Sequence, residues 1–247
     1  MIPTPSFFLS SSFTVLVGCV LVGLVAMARR AQPQRSWVYV AGLVAWLVAT
    51  GLVAASGVLR AAVLPPPLLL IAFPTLFFVV ILARGGIGSA ILERVPLWAV
   101  VGLQGFRLPL ELLMHEAYRQ GVMPIQMSYS GLNFDILTGI SALLIAALAY
   151  LRRLPAWLLR VWNIMGLALL VTIVTIAILS FPTPFRAFPQ DPPNVWITYV
   201  PFVWLPLFLV PTAAFTHALL LRDRATARAN RAPLSPAEPD AERGGPR

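Results

Sequence analysis

The sequence predicts an all-α integral membrane bundle of seven transmembrane helices, and three observations predict it. Hydrophobic residues make up 59% of the 247-residue chain and charged residues only 11%, against about half and a quarter in a soluble domain. The mean hydropathy is +0.84. The apolar residues also fall into seven runs of about 20, the length of helix that crosses a hydrocarbon core.

The first run covers about residues 6–28. No basic residue precedes it and Arg29-Arg30 follows it, the reverse of the charge order in a signal peptide, so it reads as a retained helix. The second covers about 37–59. The third, about 66–84, begins at Pro65-Pro66-Pro67, where a missing N–H costs nothing because the first helical turn leaves its N–H groups unpaired. The fourth covers about 96–120, the fifth 133–151 and the sixth 156–180. The seventh, about 196–221, carries Pro201, Pro206 and Pro211; these free carbonyls near Ile197, Phe202 and Leu207 and predict a kinked helix able to line a cavity. Residues 1–221 thus form one transmembrane domain. Residues 222–247, rich in Arg, Ala and Pro with no apolar periodicity, have the composition of a disordered tail.

All 18 basic residues are arginine. Arg29, Arg30 and Arg35 follow the first span, Arg84 and Arg94 the third, Arg152, Arg153 and Arg160 the fifth, and Arg222, Arg224, Arg228 and Arg231 the seventh. The alternate loops hold Arg60, Arg119 and Arg186. The positive-inside rule then places the N-terminus outside and the tail in the cytoplasm. The formal net charge of +9 is explained by topology and by contact with anionic headgroups, so the lipid bilayer, and not nucleic acid, is the expected partner. Arginine without lysine, with abundant Ala, Gly and Pro, points to a GC-rich bacterium and hence to its plasma (inner) membrane. A single cysteine, Cys19, excludes an internal disulfide framework and a cysteine-based zinc site. The chain says nothing of its oligomeric state.

Spans one and five end in "AMARR" and "AYLRR"; spans three and seven contain "FPTLFF" and "VPTAAF", each with arginine about ten residues later. This is the pattern of a 3+1+3 parallel repeat with span four as linker. Helices of equal orientation also end in arginine for topological reasons alone.

The polar centre lies in span four, "RLPLELLMHEAYRQG", residues 107–121. At 100° per residue, Gln104, Arg107, Glu111, His115 and Tyr118 share an arc of about 80°. Arg107 falls near mid-bilayer, where a charge costs at least about 2.5–3.5 kcal/mol and must be paired. Glu111, at the i,i+4 spacing, is the expected partner. Pro109 frees the Gly105 carbonyl and opens the helix where the charges sit. The next segment, "MPIQMSYSGLNFDILTG", brings Asn133 and Asp135 to the outer start of span five. There they serve as helix cap and dipole partner, as ligand contacts, or as both. The candidate binding residues are therefore Arg107, Glu111, His115, Tyr118, Asn133 and Asp135, with the His115 ring expected against Asp135. The outer loop "FPTPFRAFPQDPPNVW" brings Arg186 and Asp191 to the same surface, as a connector or a rigid lid.

No cofactor and no metal is expected. A retinal Schiff base needs a lysine, and "HEAYR" is not the zinc motif H-E-x-x-H. His217, near the cytoplasmic end of span seven, is expected on the opposite side from His115, as a helix-end histidine, so one haem or a three-histidine zinc site does not fit.

Together, "RLPLELLMHEAYRQGVMPIQMSYSGLNFDILTGISA" and "NVWITYVPFVWLPLFLVP" resemble an uncharacterised family of bacterial multi-pass membrane proteins with seven helices. The resemblance implies a shared fold and a shared outer polar site, and carries no activity. Three functions stay open. One is binding or transport of a small polar or anionic solute in an outward-facing pocket. The second is acid–base catalysis on a lipid-like substrate. The third is an assembly role in which the polar groups form a satisfied structural network. The topology is directly testable: a reporter enzyme fused after Arg222 should report as cytoplasmic and one inserted within residues 182–194 as external, and the reverse result overturns the assignment of sides.

Overall fold

The computed structural model describes residues 4–61, 63–189 and 192–222. Among them the chain is helical: α1 (Phe7–Ala31), α2 (Ser36–Ala55), α3 (Pro67–Arg84), α4 (Gly86–Arg94), α5 (Leu97–Leu103), α6 (Arg107–Arg119), α7 (Ile136–Tyr150), α8 (Ala156–Leu179) and α9 (Val210–Leu220). Five segments are long and apolar enough to cross a membrane: Phe7–Ala31, Pro33–Ala55, Pro67–Arg84, Leu97–Arg119 and Ala156–Leu179. The apolar helices of the fifth and seventh predicted spans are shorter, Ile136–Tyr150 and Leu205–Leu220. At 1.5 Å per residue α7 rises about 22 Å, short of a 30 Å hydrocarbon core. Asp191 and the tail arginines Arg224, Arg228 and Arg231 lie outside the described residues.

Each departure from the predicted spans has a local cause. The fourth is broken into α5 and α6 by a 3-10 turn at Gln104–Phe106, immediately before Arg107 and where Pro109 removes a helical hydrogen bond. The fifth starts at Ile136 and not at residue 133, because the Asn133 side-chain oxygen accepts the Asp135 N–H at 3.0 Å and holds a turn there. The seventh begins with a 3-10 turn at Trp196–Thr198 and becomes π-helical over Leu205–Leu209 before α9. The carbonyl that Pro211 frees, on Leu207, accepts the Trp46 indole N–H at 2.8 Å. Reciprocally, the Trp204 indole donates to the Leu47 carbonyl at 3.0 Å, so α2 is stapled to the proline-bent segment at both groups.

Helix α4 lies outside the seven predicted runs. It caps one end of the bundle through arginine. Arg94 donates to the Ala31 carbonyl at 2.9 Å, Arg30 to the Arg94 carbonyl at 3.0 Å, and Arg222 to Ala83 O and Ser89 Oγ, both at 2.8 Å. These side chains occupy helix-end carbonyls that have no intrahelical partner; they are structural groups as well as topological ones. At the opposite end Ser6 caps α1 by accepting the Leu9 N–H at 3.2 Å, and Gln120 binds Ser6 through both its backbone N–H and its hydroxyl.

The interior is layered. An apolar cluster including Phe13, Met123, Met127, Trp196 and Phe202 fills the Ser6 end, and a second including Met27, Ile91, Val100, Leu159 and Leu219 fills the arginine end. Between them each of three elements turns polar for about one turn: Gln104 and Arg107 between Val101 and Leu110, Asn163 between Trp162 and Leu170, and Thr216 and His217 between Ala213 and Leu219. The outer surface is apolar, with Phe77, Phe78, Leu144, Ile164 and Val171 all more than half exposed.

Two glycines let the helices meet at the polar layer. A Cβ on Gly139 of α7 would overlap the Leu108 backbone nitrogen and stand 2.9 Å from the Arg107 carbonyl carbon. A Cβ on Gly166 of α8 would stand 2.7 Å from the His217 ring. Gly139→Ala should therefore lower stability by about 3 kcal/mol or more, the upper range for overpacking against groups that cannot move aside. Gly42→Ala, at a site with no atom near the new methyl, should be neutral or slightly stabilising. Thermal unfolding in detergent compares the two, and equal midpoints would mean that α7 does not cross α6 at this glycine.

Candidate functional site

Arg107, Glu111, Asn133 and Asp135 converge, and all four are at most 4% exposed. The ion pair is not the expected one. Arg107 faces Asp135, with Nη1 3.2 Å from Oδ1, whereas Glu111 accepts from the Asn133 side-chain amide. The cause is helical geometry: side chains tilt toward the helix N-terminus, so Arg107 leans away from a glutamate that follows it by one turn. Arginine N-terminal to glutamate is also the weaker order of the i,i+4 pair. Asn133 then serves both partners, donating also to Met127 O at 2.9 Å while its oxygen takes the Asp135 N–H.

His217 belongs to this centre, and its expected place as a helix-end histidine away from the site is corrected. Its Nε2 is 3.2 Å from Arg107 Nη1, and its Nδ1 is 2.7 Å from Asn163 Oδ1. Arginine only donates, so Nε2 accepts; the proton then sits on Nδ1 and is donated to the asparagine oxygen. Asn163 completes the loop by donating to the His217 carbonyl at 3.1 Å, and Gly166 O accepts from Arg107 at 3.4 Å. Gln104 anchors the broken helix by donating to Thr216 Oγ1 at 2.6 Å and Ala213 O at 3.1 Å.

His115 stands apart. Its Nδ1 lies 2.9 Å from the Ser128 hydroxyl and 3.3 Å from that of Ser130, and its ring stacks on Tyr129 at 4.4 Å. The expected hold by Asp135 is replaced by these serines, because Asp135 turns inward to the buried cation. Tyr118 touches the same imidazole, its ring centroid 5.9 Å away. Both side chains are half-buried and fasten the segment after α6. Asn163 and His217 are not among the candidate residues, and Gln104 is read only as part of the polar arc; the signal that finds them is a lone amide or imidazole within an otherwise apolar run.

A cavity of about 90 Å³ adjoins the centre, with Arg107, Glu111 and Asp135 in its wall. Leu68, Leu110, Met114, Met127, Leu170 and Ala213 supply much of the rest. Wall residues with exposed surface, Phe73 and Leu76 of α3 and Val174 and Ile178 of α8, mark a mouth on the apolar flank. Four buried polar atoms of the centre have no hydrogen-bond partner among the described residues: Gln104 Oε1, Thr138 Oγ1 and, on residues of the cavity wall, Arg107 Nη2 and Asp135 Oδ1. The latter is close to Nη1 but off its N–H direction, so charge alone holds the pair. Among the described residues no three His, Cys, Asp or Glu side chains are grouped to hold a metal ion. Compared with protein-family models, curated proteins and solved structures, the chain matches none.

Breaking a buried pair on one side costs about 3–5 kcal/mol, while replacing both partners is far milder. Arg107→Leu should therefore accumulate poorly, and Arg107→Leu with Asp135→Leu should recover much of the loss. Arg107→Leu with Glu111→Leu should recover less. Folded yield in detergent decides; better rescue by the Glu111 change would reassign the partner.

Proposed function

We propose that this is a bacterial inner-membrane protein that binds an amphiphile entering sideways from the bilayer. The chain crosses seven times with its N-terminus outside and its tail cytoplasmic; the short α7 and the proline-bent seventh segment complete their crossings with the non-helical stretches before them. The segments "FPTLFF" and "VPTAAF" then occupy equivalent places in a 3+1+3 repeat.

One observation carries the binding function: a cleft opening between α3 and α8 on the apolar flank, with greasy walls and Arg107, Glu111 and Asp135 at its inner side. A small polar solute would have to desolvate along Leu68, Met114, Met127 and Leu170 before it reached the three charged residues at the inner side. The cavity is also small. Sites that enclose a whole drug-sized ligand measure about 300–1,000 Å³, so at about 90 Å³ the ligand inserts one part of itself while the rest stays among the lipids. A lateral mouth favours this over uptake of a polar or anionic solute through an aqueous pocket.

The test uses a lipid with a photoactivatable diazirine in its acyl chain, in nanodiscs. Met114 and Met127 line the cleft and are almost fully buried, 2% and 1% exposed, so lipid outside the cleft does not reach them. Label should appear on these methionines, and Ala177→Trp at the cleft wall should remove it while label on exposed Phe77 and Phe78 persists. Unlabelled methionines beside labelled phenylalanines would overturn the reading.

A further inference from the structure

We propose that the end of the amphiphile that reaches the centre is an uncharged hydroxyl, so the ligand is a lipid alcohol and not an anionic lipid. This rests on the lateral-binding reading. Of the orphaned atoms at the centre, the two on residues of the cavity wall are one donor, Arg107 Nη2, and one acceptor, Asp135 Oδ1. They sit on a guanidinium and a carboxylate already 3.2 Å apart at their nearest atoms. A hydroxyl has the one O–H and the lone pairs needed to serve both at once. An amine donates to Asp135 but offers Arg107 no acceptor while protonated. A sulfonate, carboxylate or phosphodiester accepts from Arg107 but brings no donor to Asp135 Oδ1.

Charge gives an independent argument against an anion. The ionisable groups of the centre are Arg107, Asp135, Glu111 and His217. Asp135 already opposes the arginine, Glu111 adds a second carboxyl group to the cavity wall, and His217 accepts from the arginine and so brings no cation. An incoming anion finds no uncompensated positive charge, because Asp135 already opposes the guanidinium, and an extra charge left unpaired in a low-dielectric site is costly. Burial strengthens the hydroxyl's advantage, because unmade hydrogen bonds of charged groups are the costliest to leave unpaired.

The experiment measures competition for labelling of Met114 and Met127 on the full chain in nanodiscs, with a diazirine-bearing octadecanol as probe. The competitors are octadecanol, octadecylamine, octadecylsulfonate and headless octadecane. Octadecanol should compete best, by about tenfold or more over the sulfonate, a step of one decade in affinity, and clearly better than the amine and the alkane. Asp135→Asn, which removes the carboxylate that opposes Arg107, should narrow the gap between alcohol and sulfonate. Equal or better competition by sulfonate or amine overturns the hydroxyl assignment while leaving lateral binding intact. Octadecane competing as well as the alcohol also overturns it, because the polar end then contributes nothing. Absence of label on either methionine from this probe and from the acyl-chain probe removes lateral binding itself, and the hydroxyl with it. The competition series needs only the unsubstituted protein, so it stands if Asp135→Asn does not fold.

Discussion

Everything at the centre of this bundle follows from burying one guanidinium, Arg107, in an apolar interior. A cation at that depth must be opposed and its donors occupied. Asp135 supplies the charge, and His217 and Gly166 supply acceptors. Each of these brings its own requirement: His217 needs Asn163 to take its proton, and Asp135 needs Asn133 to fix the turn that presents it. One buried charge thereby dictates the polar residues of α6, α8, α9 and the start of α7.

The same demand sets the backbone. Arg107 reaches its partners because α5 ends in a 3-10 turn directly before it, and because α7 and α8 approach closely at Gly139 and Gly166. Membrane bundles lack a hydrophobic force between helices, so small residues that permit close packing and polar groups that bond across helices hold them together. Here both devices coincide in one layer, with apolar clusters on either side. The network is nonetheless incomplete: a donor and an acceptor remain unpaired beside a cleft.

Span four was legible as the polar centre because a helix has one period, and a charge at a given depth in an apolar run has one meaning. Arg107, Glu111, Asn133 and Asp135 were found that way. The pairing among them was not, since i,i+4 spacing makes Arg107 and Glu111 neighbours without saying where each side chain leans. His115 looked the stronger histidine because it shares the charged face of α6, yet it ends among Ser128, Tyr129 and Ser130. His217 reads as a helix-end residue because it lies near the end of the seventh apolar run. The proline-bent seventh segment instead carries it to the level of Arg107.

By itself the sequence determined an all-helical, strongly apolar chain, the seven apolar runs, and the helix on which the charges fall. These depend on composition and local periodicity, which act over a few turns. The tertiary structure decided the partner of Arg107, the inclusion of His217 and Asn163, the capping role of the arginines, and the cleft between α3 and α8. Those depend on which helices cross and at what depth. Glycine contacts, broken helical turns and proline bends set these crossings together, and no one segment carries that information alone.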